Sequence, residues 1–222
     1  MPSENNKIGV FSYGMPTQTA LLNWPMDKHD VPENFYKMAQ GYQQAVMIIL
    51  KDLLCENRNK RADKISFPLL FLLNQSIELY LKSILLYLYL LNGKTLNELK
   101  IKTQLKGHEI ETLIGYLCDE TRKLDKAINI NDWLKELLSY SKELSNLASD
   151  KQKKKIFDSM RYPADLDLQG FFYADTYENV PLNLARCYEQ FDIIYQRLDG
   201  MQGKFAQALE AKREGKNGEI DF

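Results

Sequence analysis

The amino-acid sequence predicts an all-α protein, an up-and-down bundle of about five main helices. Three observations support this fold class. Apolar residues recur at every third or fourth position through most of the chain, which is the spacing of one helix face. The chain has 222 residues, 45% of them hydrophobic and 27% charged, so an ordinary self-sufficient core is expected. The segment from Lys64 to Gly93 is apolar on nearly every side, as is typical of a helix at the centre of a bundle.

The positions of glycine and proline residues, together with the helical periodicity, divide the chain into three regions. Residues 1–31 contain several glycines and prolines and predict an extended N-terminal arm. Residues 32–199 carry the helical periodicity and form the predicted bundle. Residues 200–222 predict a helical or frayed tail, because Gly200 and Gly203 are expected to interrupt the last helix.

The first two helices are predicted to pack antiparallel. The first begins at Pro32 and ends in the polar run from Glu56 to Arg61. The second is the apolar segment, which closes at Asn92 and Gly93, a common signal for the end of a helix. The short connection between the two helices favours the antiparallel arrangement.

One polar stripe crosses the otherwise apolar second helix. Asn74, Gln75, Glu78 and Lys82 fall on the same side at about 100° per residue. A buried carboxylate and a buried ammonium need partners, so this stripe is expected to face other polar groups. The stretch Leu69 to Leu91 is long enough to span a bilayer, but charges near the centre of a membrane helix cost about 2.5–3.5 kcal/mol each. We therefore expect a buried helix in a cytoplasmic protein and no membrane association.

Two shorter helices are predicted next. A polar linker from Lys94 to Lys106 could carry a helical turn at 95–100, and Gly107-His108-Glu109 then leads into a helix that begins at Ile110. Asn131-Asp132 predicts the N-terminal cap of a fourth helix. The basic run at 151–155 that follows this helix is most simply a solvated end.

The periodicity is lost between residues 158 and 180. This segment mixes aromatic and charged residues and predicts a long irregular connection, which in a compact domain is often functional or tightly packed. Pro163 disfavours helical geometry at Tyr162, so Arg161-Tyr162-Pro163 is expected to be extended. The last long helix begins near Pro181.

Charge and cysteine content exclude several classes of function. The net charge of −1 gives no DNA-binding signature. Cys55, Cys118 and Cys187 are odd in number, widely spaced and in helical-looking segments, so we expect reduced core thiols and neither a disulfide framework nor a metal cluster. His29 lies beside Asp27 and Asp30 without a second ligand at metal-site spacing, which indicates a solvated turn. No metal or cofactor is predicted.

The order of several short motifs resembles the HEPN superfamily of helical bundles. Glu78 and Lys82 match a Glu-x-x-x-Lys pair common on the second helix of that family. Gly107-His108-Glu109 matches the leader of its third helix, and Arg161-Tyr162-Pro163 matches an Arg-Tyr-Pro segment near the end of the domain. The resemblance covers about Phe35 to Leu198.

This resemblance implies an all-α domain that pairs as a homodimer, in a bacterial toxin–antitoxin, phage-defence or nucleotide-linked system. Active members of the family are metal-independent ribonucleases with an Arg-x(4–6)-His motif, in which histidine moves a proton and arginine stabilises phosphate charge. The chain departs from that motif. The arginine of the motif would have to lie five to seven residues before a histidine. These positions are Ile101-Lys102-Thr103 before His108 and Leu22-Asn23-Trp24 before His29, and none of them is arginine.

Two interpretations of the shared residues remain open. In the first, Glu78 and Lys82 form a satisfied polar network with His108 and Arg161, and the chain is a non-catalytic binding or assembly module that recognises a nucleotide, RNA or a partner protein. In the second, Lys82, His108 and Arg161 meet a phosphate, and the chain is an endoribonuclease or nucleotide-modifying enzyme that uses His108 with a basic partner such as Arg161. Further candidate binding residues on the irregular segment are Tyr162, Asp165, Phe171 and Tyr173.

Overall fold

A computed structural model describes residues 15, 17, 19–21, 26–147, 156–162, 167, 168, 170 and 180–215 of the chain. Within these residues the structure contains helices and no strand, which confirms the predicted all-α bundle. The helices are α1 (Val31–Cys55), α2 (Arg61–Leu91), α3 (Leu99–Leu105), α4 (Ile110–Leu124), α5 (Asn131–Leu147), α6 (Ile156–Ser159) and α7 (Leu184–Arg213). A 3-10 turn, Arg58–Lys60, precedes α2.

Helices α1 and α2 are antiparallel, as predicted. The Ser83 hydroxyl near the end of α2 donates to the Pro32 carbonyl at the start of α1, at 2.8 Å. At the opposite end, the Arg61 guanidinium lies 2.6 Å from the Asp52 carboxylate. The side chain of Asp30 accepts from the Glu33 N–H at 3.0 Å and caps the first turn of α1.

The central helix α2 begins earlier than the predicted Lys64 and ends where predicted. Its start is stabilised by the side chain of Asn57, which accepts from the Ala62 N–H at 2.8 Å. Its end is closed by Gly93, which takes a φ of +73°, and the Lys94 N–H then donates back to the Tyr89 carbonyl at 2.9 Å. Glycine suits this position because the left-handed conformation carries no Cβ penalty there.

Helices α2 and α4 run in the same direction, because α3 carries the chain back along α2 before α4 begins. The predicted turn at 95–100 is a helix at Leu99–Leu105 instead, and its Ile101 side chain is buried against the core. The chain thereby returns along α2 before α4 begins. His108 then lies beside Glu78, and Glu120 lies beside Asn92. The start of α4 therefore faces the middle of α2, which positions the candidate site.

Helix α7 is continuous through Gly200 and Gly203, so the interruption predicted there is wrong. A Cβ atom at Gly200 would lie 2.7 Å from the Trp133 ring of α5, which explains glycine at that position by close packing. The continuation of α7 belongs to the bundle, because Met201, Phe205 and Leu209 are buried in the core. Helix α5 begins at Asn131, as predicted.

The outer parts of the chain are described only in places. His29 lies in an exposed turn, where its N–H donates to Asp27 Oδ1 at 2.8 Å. Most of the predicted arm, the basic run at 151–155 and most of the predicted irregular segment lie outside the described residues. The described positions of that segment after Ser159 are not helical.

All three cysteines are free, but they do not share one environment. Cys187 is buried, Cys118 is half-buried and Cys55 is exposed, so the prediction that all three are core residues is wrong for Cys55. Burial raises the pKa of the Cys187 thiol to about 12, which keeps it protonated at neutral pH.

One described stretch, Arg58–Leu91, is long and apolar enough to cross a membrane by length and composition alone. In its most apolar window 78% of the residues are buried inside the bundle. Because the core helix of a soluble protein passes the same test, this stretch is weak evidence for a membrane span.

Candidate functional site

The candidate site is built around a buried ion pair on α2. Lys82 Nζ lies 2.6 Å from Glu78 Oε1, and the two side chains are only 6% and 3% exposed. Their spacing of four residues places them one turn apart on the same helix face. Because an unpaired charge at this depth would be strongly unfavourable, each group depends on the other for its place in the core.

His108 completes this arrangement from the connection between α3 and α4. Its Nδ1 atom lies 3.1 Å from Glu78 Oε1 and 3.2 Å from Glu78 Oε2. The His108 side chain is 59% exposed, so the ring reaches from the surface to the buried carboxylate. The structure thus brings together Glu78, Lys82 and His108 from the predicted set, and we call these three residues the Glu78 network.

Arg161 contacts aromatic rings and not the Glu78 network. Its guanidinium lies 5.7 Å from the Phe71 ring centre and 5.2 Å from the Tyr162 ring centre, and Nη2 lies 3.4 Å from the Tyr162 hydroxyl. Phe71 is on the same face of α2 as Glu78 but about 10 Å earlier along the helix axis. Arg161 therefore lies against α2 at Phe71, before the first residue of the polar stripe. The other predicted residues, Asp165, Phe171 and Tyr173, lie outside the described residues.

The remaining part of the polar stripe contacts α5 and the turn after α6. Asn74 is buried, and its Nδ2 lies 2.8 Å from the Leu70 carbonyl, 2.9 Å from the Tyr140 hydroxyl and 3.2 Å from the Met160 sulfur. Gln75 is half-buried. The stripe therefore lies against several elements of the fold, and the Glu78 network occupies only its second half.

A second buried carboxylate, Glu120 on α4, was missed by the sequence interpretation. Its side chain is 3% exposed and accepts from Lys94 Nζ at 2.6 Å, Lys123 Nζ at 2.7 Å and Asn92 Nδ2 at 3.0 Å. Burial by itself raises the pKa of Glu120, but the donors from Lys123, Lys94 and Asn92 outweigh burial and hold this pKa below its usual range. Only Lys123, three residues away, could have been paired with Glu120 from helical spacing.

The chemistry that the Glu78 network allows is limited by its partners. A carboxylate that contacts Nδ1 fixes the orientation of an imidazole ring, as in many catalytic and structural histidines. Lys82 is already paired and buried, so its ammonium is occupied by the protein itself. Among the described residues, no group of three or more His, Cys, Asp or Glu side chains could hold a metal ion.

The fold and these contacts define a class, an all-α helical bundle with a buried ionic network at the contact between its central helix and α4. Comparison of the chain with protein-family models, with curated proteins and with solved structures found no match.

Proposed function

We propose that this chain is a non-catalytic, HEPN-like binding or assembly module, cytoplasmic and homodimeric, of a bacterial defence or toxin–antitoxin system. One observation carries the proposal. The Glu78 carboxylate is buried and shared between Lys82 and His108, so three of the residues that carry the resemblance contact one another. A network of this kind fixes how α2 meets the start of α4, and it commits the Glu78 carboxylate and the Lys82 ammonium to each other.

The same contacts argue against Lys82 as a phosphate ligand. To bind a phosphate, its ammonium would have to leave Glu78, and the carboxylate would then stay buried with only His108 beside it. Breaking a buried pair in this way costs about 3–5 kcal/mol. A phosphate site that includes Lys82 is therefore disfavoured relative to a site on the surface.

Arg161 and Tyr162 provide such a surface. Both side chains are exposed, and the guanidinium lies over the Tyr162 and Phe71 rings, 5.2 Å and 5.7 Å from their centres. A guanidinium held against aromatic rings keeps its donors oriented for a phosphate, and an exposed tyrosine ring offers a face on which a base can stack. The proposed ligand of this pair is a nucleotide or a single-stranded RNA.

The binding experiment measures thermal stabilisation by a nucleotide panel and filter binding of a single-stranded RNA. We expect Arg161→Ala to weaken binding at least tenfold, because the arginine supplies the phosphate contact. Arg122→Ala, which removes an arginine that is 68% exposed on α4, is the matched control and should leave affinity unchanged. No binding by the unaltered protein, or an equal loss in both variants, would contradict the proposed ligand.

The exposure of His108 favours a second candidate function, that of a metal-independent endoribonuclease or nucleotide-modifying enzyme. A ring that is 59% exposed, with Nδ1 held by a carboxylate, has the orientation expected of a general acid or base. Incubation with RNA under metal-free conditions tests this alternative. Cleavage that is abolished in His108→Ala and retained in His29→Ala would replace the binding module by the enzyme, and no cleavage would remove the enzyme.

A further inference from the structure

A cavity of about 210 Å³ lies between α1 and α7, away from the Glu78 network. Its lining consists of one carboxylate, one tyrosine and four glutamines: Gln40, Gln43, Gln44, Tyr195, Gln196 and Asp199. No local sequence pattern indicates this cavity, because α1 and α7 lie at opposite ends of the chain. The cavity is small and its described lining is almost wholly polar, with Asp199 as its charged residue.

The Asp199 carboxylate is held in place by tyrosine hydroxyls. Tyr36 donates to Asp199 Oδ1 at 2.6 Å. The Tyr80 hydroxyl donates to Gln43 Oε1 at 2.5 Å and also lies 3.4 Å from the same Asp199 oxygen. Burial, together with the charge of Asp199, raises the pKa of both tyrosines well above the usual range, so both remain donors at neutral pH. Asp199 is therefore oriented through one of its two oxygens.

The negative charge of Asp199 faces neutral side chains in the described part of the cavity. Among the described lining residues there is no lysine, arginine or histidine. Arg197, two residues earlier on α7, points to a different face of the helix and pairs with Glu136 of α5 at 3.0 Å. A carboxylate in a partly enclosed site without a counter-ion attracts a cation from solution.

The other groups at the cavity favour an organic ammonium over a divalent metal. Tyr195 is the aromatic residue of the described lining, and aromatic rings stabilise ammonium ions. The glutamine amides supply neutral oxygens that accept hydrogen bonds from N–H groups. Calcium would require six to eight oxygen ligands, usually with several carboxylates, whereas this lining provides one carboxylate.

We propose that the cavity beside Asp199 binds the ammonium group of a small organic amine. The carboxylate serves as its counter-ion, the glutamine amides accept its remaining hydrogen bonds, and the Tyr195 ring lies against its alkyl part. This site is separate from the Glu78 network and from the exposed Arg161–Tyr162 pair, so it would add a small-molecule ligand to the protein.

The test compares n-butylammonium chloride with 1-butanol, a neutral molecule of the same length, by titration calorimetry on the full chain. We expect saturable binding of one n-butylammonium per chain and none of 1-butanol. Asp199→Asn preserves an acceptor for the tyrosines and removes the charge, and it should weaken binding at least tenfold. Asp119→Asn makes the same charge change at a side chain that is 63% exposed on α4 and should leave binding unchanged.

A second variant, Gln44→Glu, tests the site by adding charge instead of removing it. Gln44 is exposed, so Gln44→Glu is expected to fold normally and to tighten ammonium binding by adding a second carboxylate at the cavity. This variant decides the question if Asp199→Asn fails to fold. Equal binding of 1-butanol, competition by KCl at the same concentration as n-butylammonium, an unchanged affinity in Asp199→Asn, or no tightening in Gln44→Glu would each overturn the proposal.

Discussion

Glu78 and Glu120 are both buried carboxylates at the contact between α2 and α4, yet they are stabilised in different ways. Glu120 accepts from two lysines and an asparagine, and its lysines are 26% and 55% exposed. Glu78 accepts from one lysine that is 6% exposed and from an exposed histidine. The charge partners of Glu120 can return to water, whereas the main partner of Glu78 cannot.

This difference indicates separate roles for two similar groups. Removal of Glu120 would leave ammonium groups that reach solvent, so its loss is partly compensated by hydration. Removal of Glu78 would leave the Lys82 charge inside the bundle without a counter-ion. Glu78 therefore has the larger structural effect, and its network is specified more strictly by the fold.

The largest expected effect is that of Glu78→Ala. This change should lower the free energy of unfolding by about 3–5 kcal/mol, because it leaves Lys82 buried and unpaired. Urea denaturation followed by circular dichroism measures the loss. Glu210→Ala on the exposed face of α7 serves as the control and should stay within about 0.5 kcal/mol. A loss at Glu78 no larger than at Glu210 would show that the network faces water.

The packing of Gly200 against the Trp133 ring involves no charge, so the stability lost there can be compared with the losses at the two carboxylates. Gly200→Ala should cost about 1–3 kcal/mol, because its Cβ would lie 2.7 Å from the rigid Trp133 ring. Gly203→Ala on the same helix meets nothing within 4 Å and should stabilise the protein by about 0.5–1 kcal/mol. Thermal unfolding of the two variants checks the signs, and two changes of equal sign would contradict the packing of Trp133 on α7.

A smaller loss of stability, about 1–2 kcal/mol at pH 7, is expected for Glu120→Gln, because the lysines that this change leaves unpaired can be hydrated. The folded protein holds the pKa of Glu120 below its usual range, so its contribution is complete above the ordinary pKa of about 4.3 and is lost as the pH falls through the folded value. The difference in unfolding free energy between the two proteins should therefore narrow as the pH falls below the ordinary pKa of a glutamate. A difference that widens on acidification would reverse the assigned sign.

Local periodicity was sufficient to predict most of the fold. The starts of α1 and α5, the end of α2 and the helical spacing of Glu78 and Lys82 all follow from residues close together in sequence. The break predicted at Gly200 failed because the need for glycine arises from Trp133, a residue of another helix. Sequence alone could not supply that contact.

The candidate site was predictable only in part, for the same reason. The contact of His108 with Glu78 was anticipated through the resemblance, and the structure places the two residues together. Arg161 was expected in the same network but stacks on Phe71, two turns earlier on α2, because an arginine also finds favourable partners in aromatic rings. The contacts of Glu120 with Lys94 and of Asp199 with Tyr36 connect residues far apart in sequence, and no local pattern indicates them.

The central claim, that Glu78 and Lys82 form a buried structural pair, is tested most directly by a double-mutant cycle. Glu78→Leu and Lys82→Met are measured singly and together by urea denaturation. The buried pair predicts that each single change costs about 3–5 kcal/mol and that the double variant recovers most of the loss, because no unpaired charge remains in the core. Additive losses in the double variant would contradict the claim.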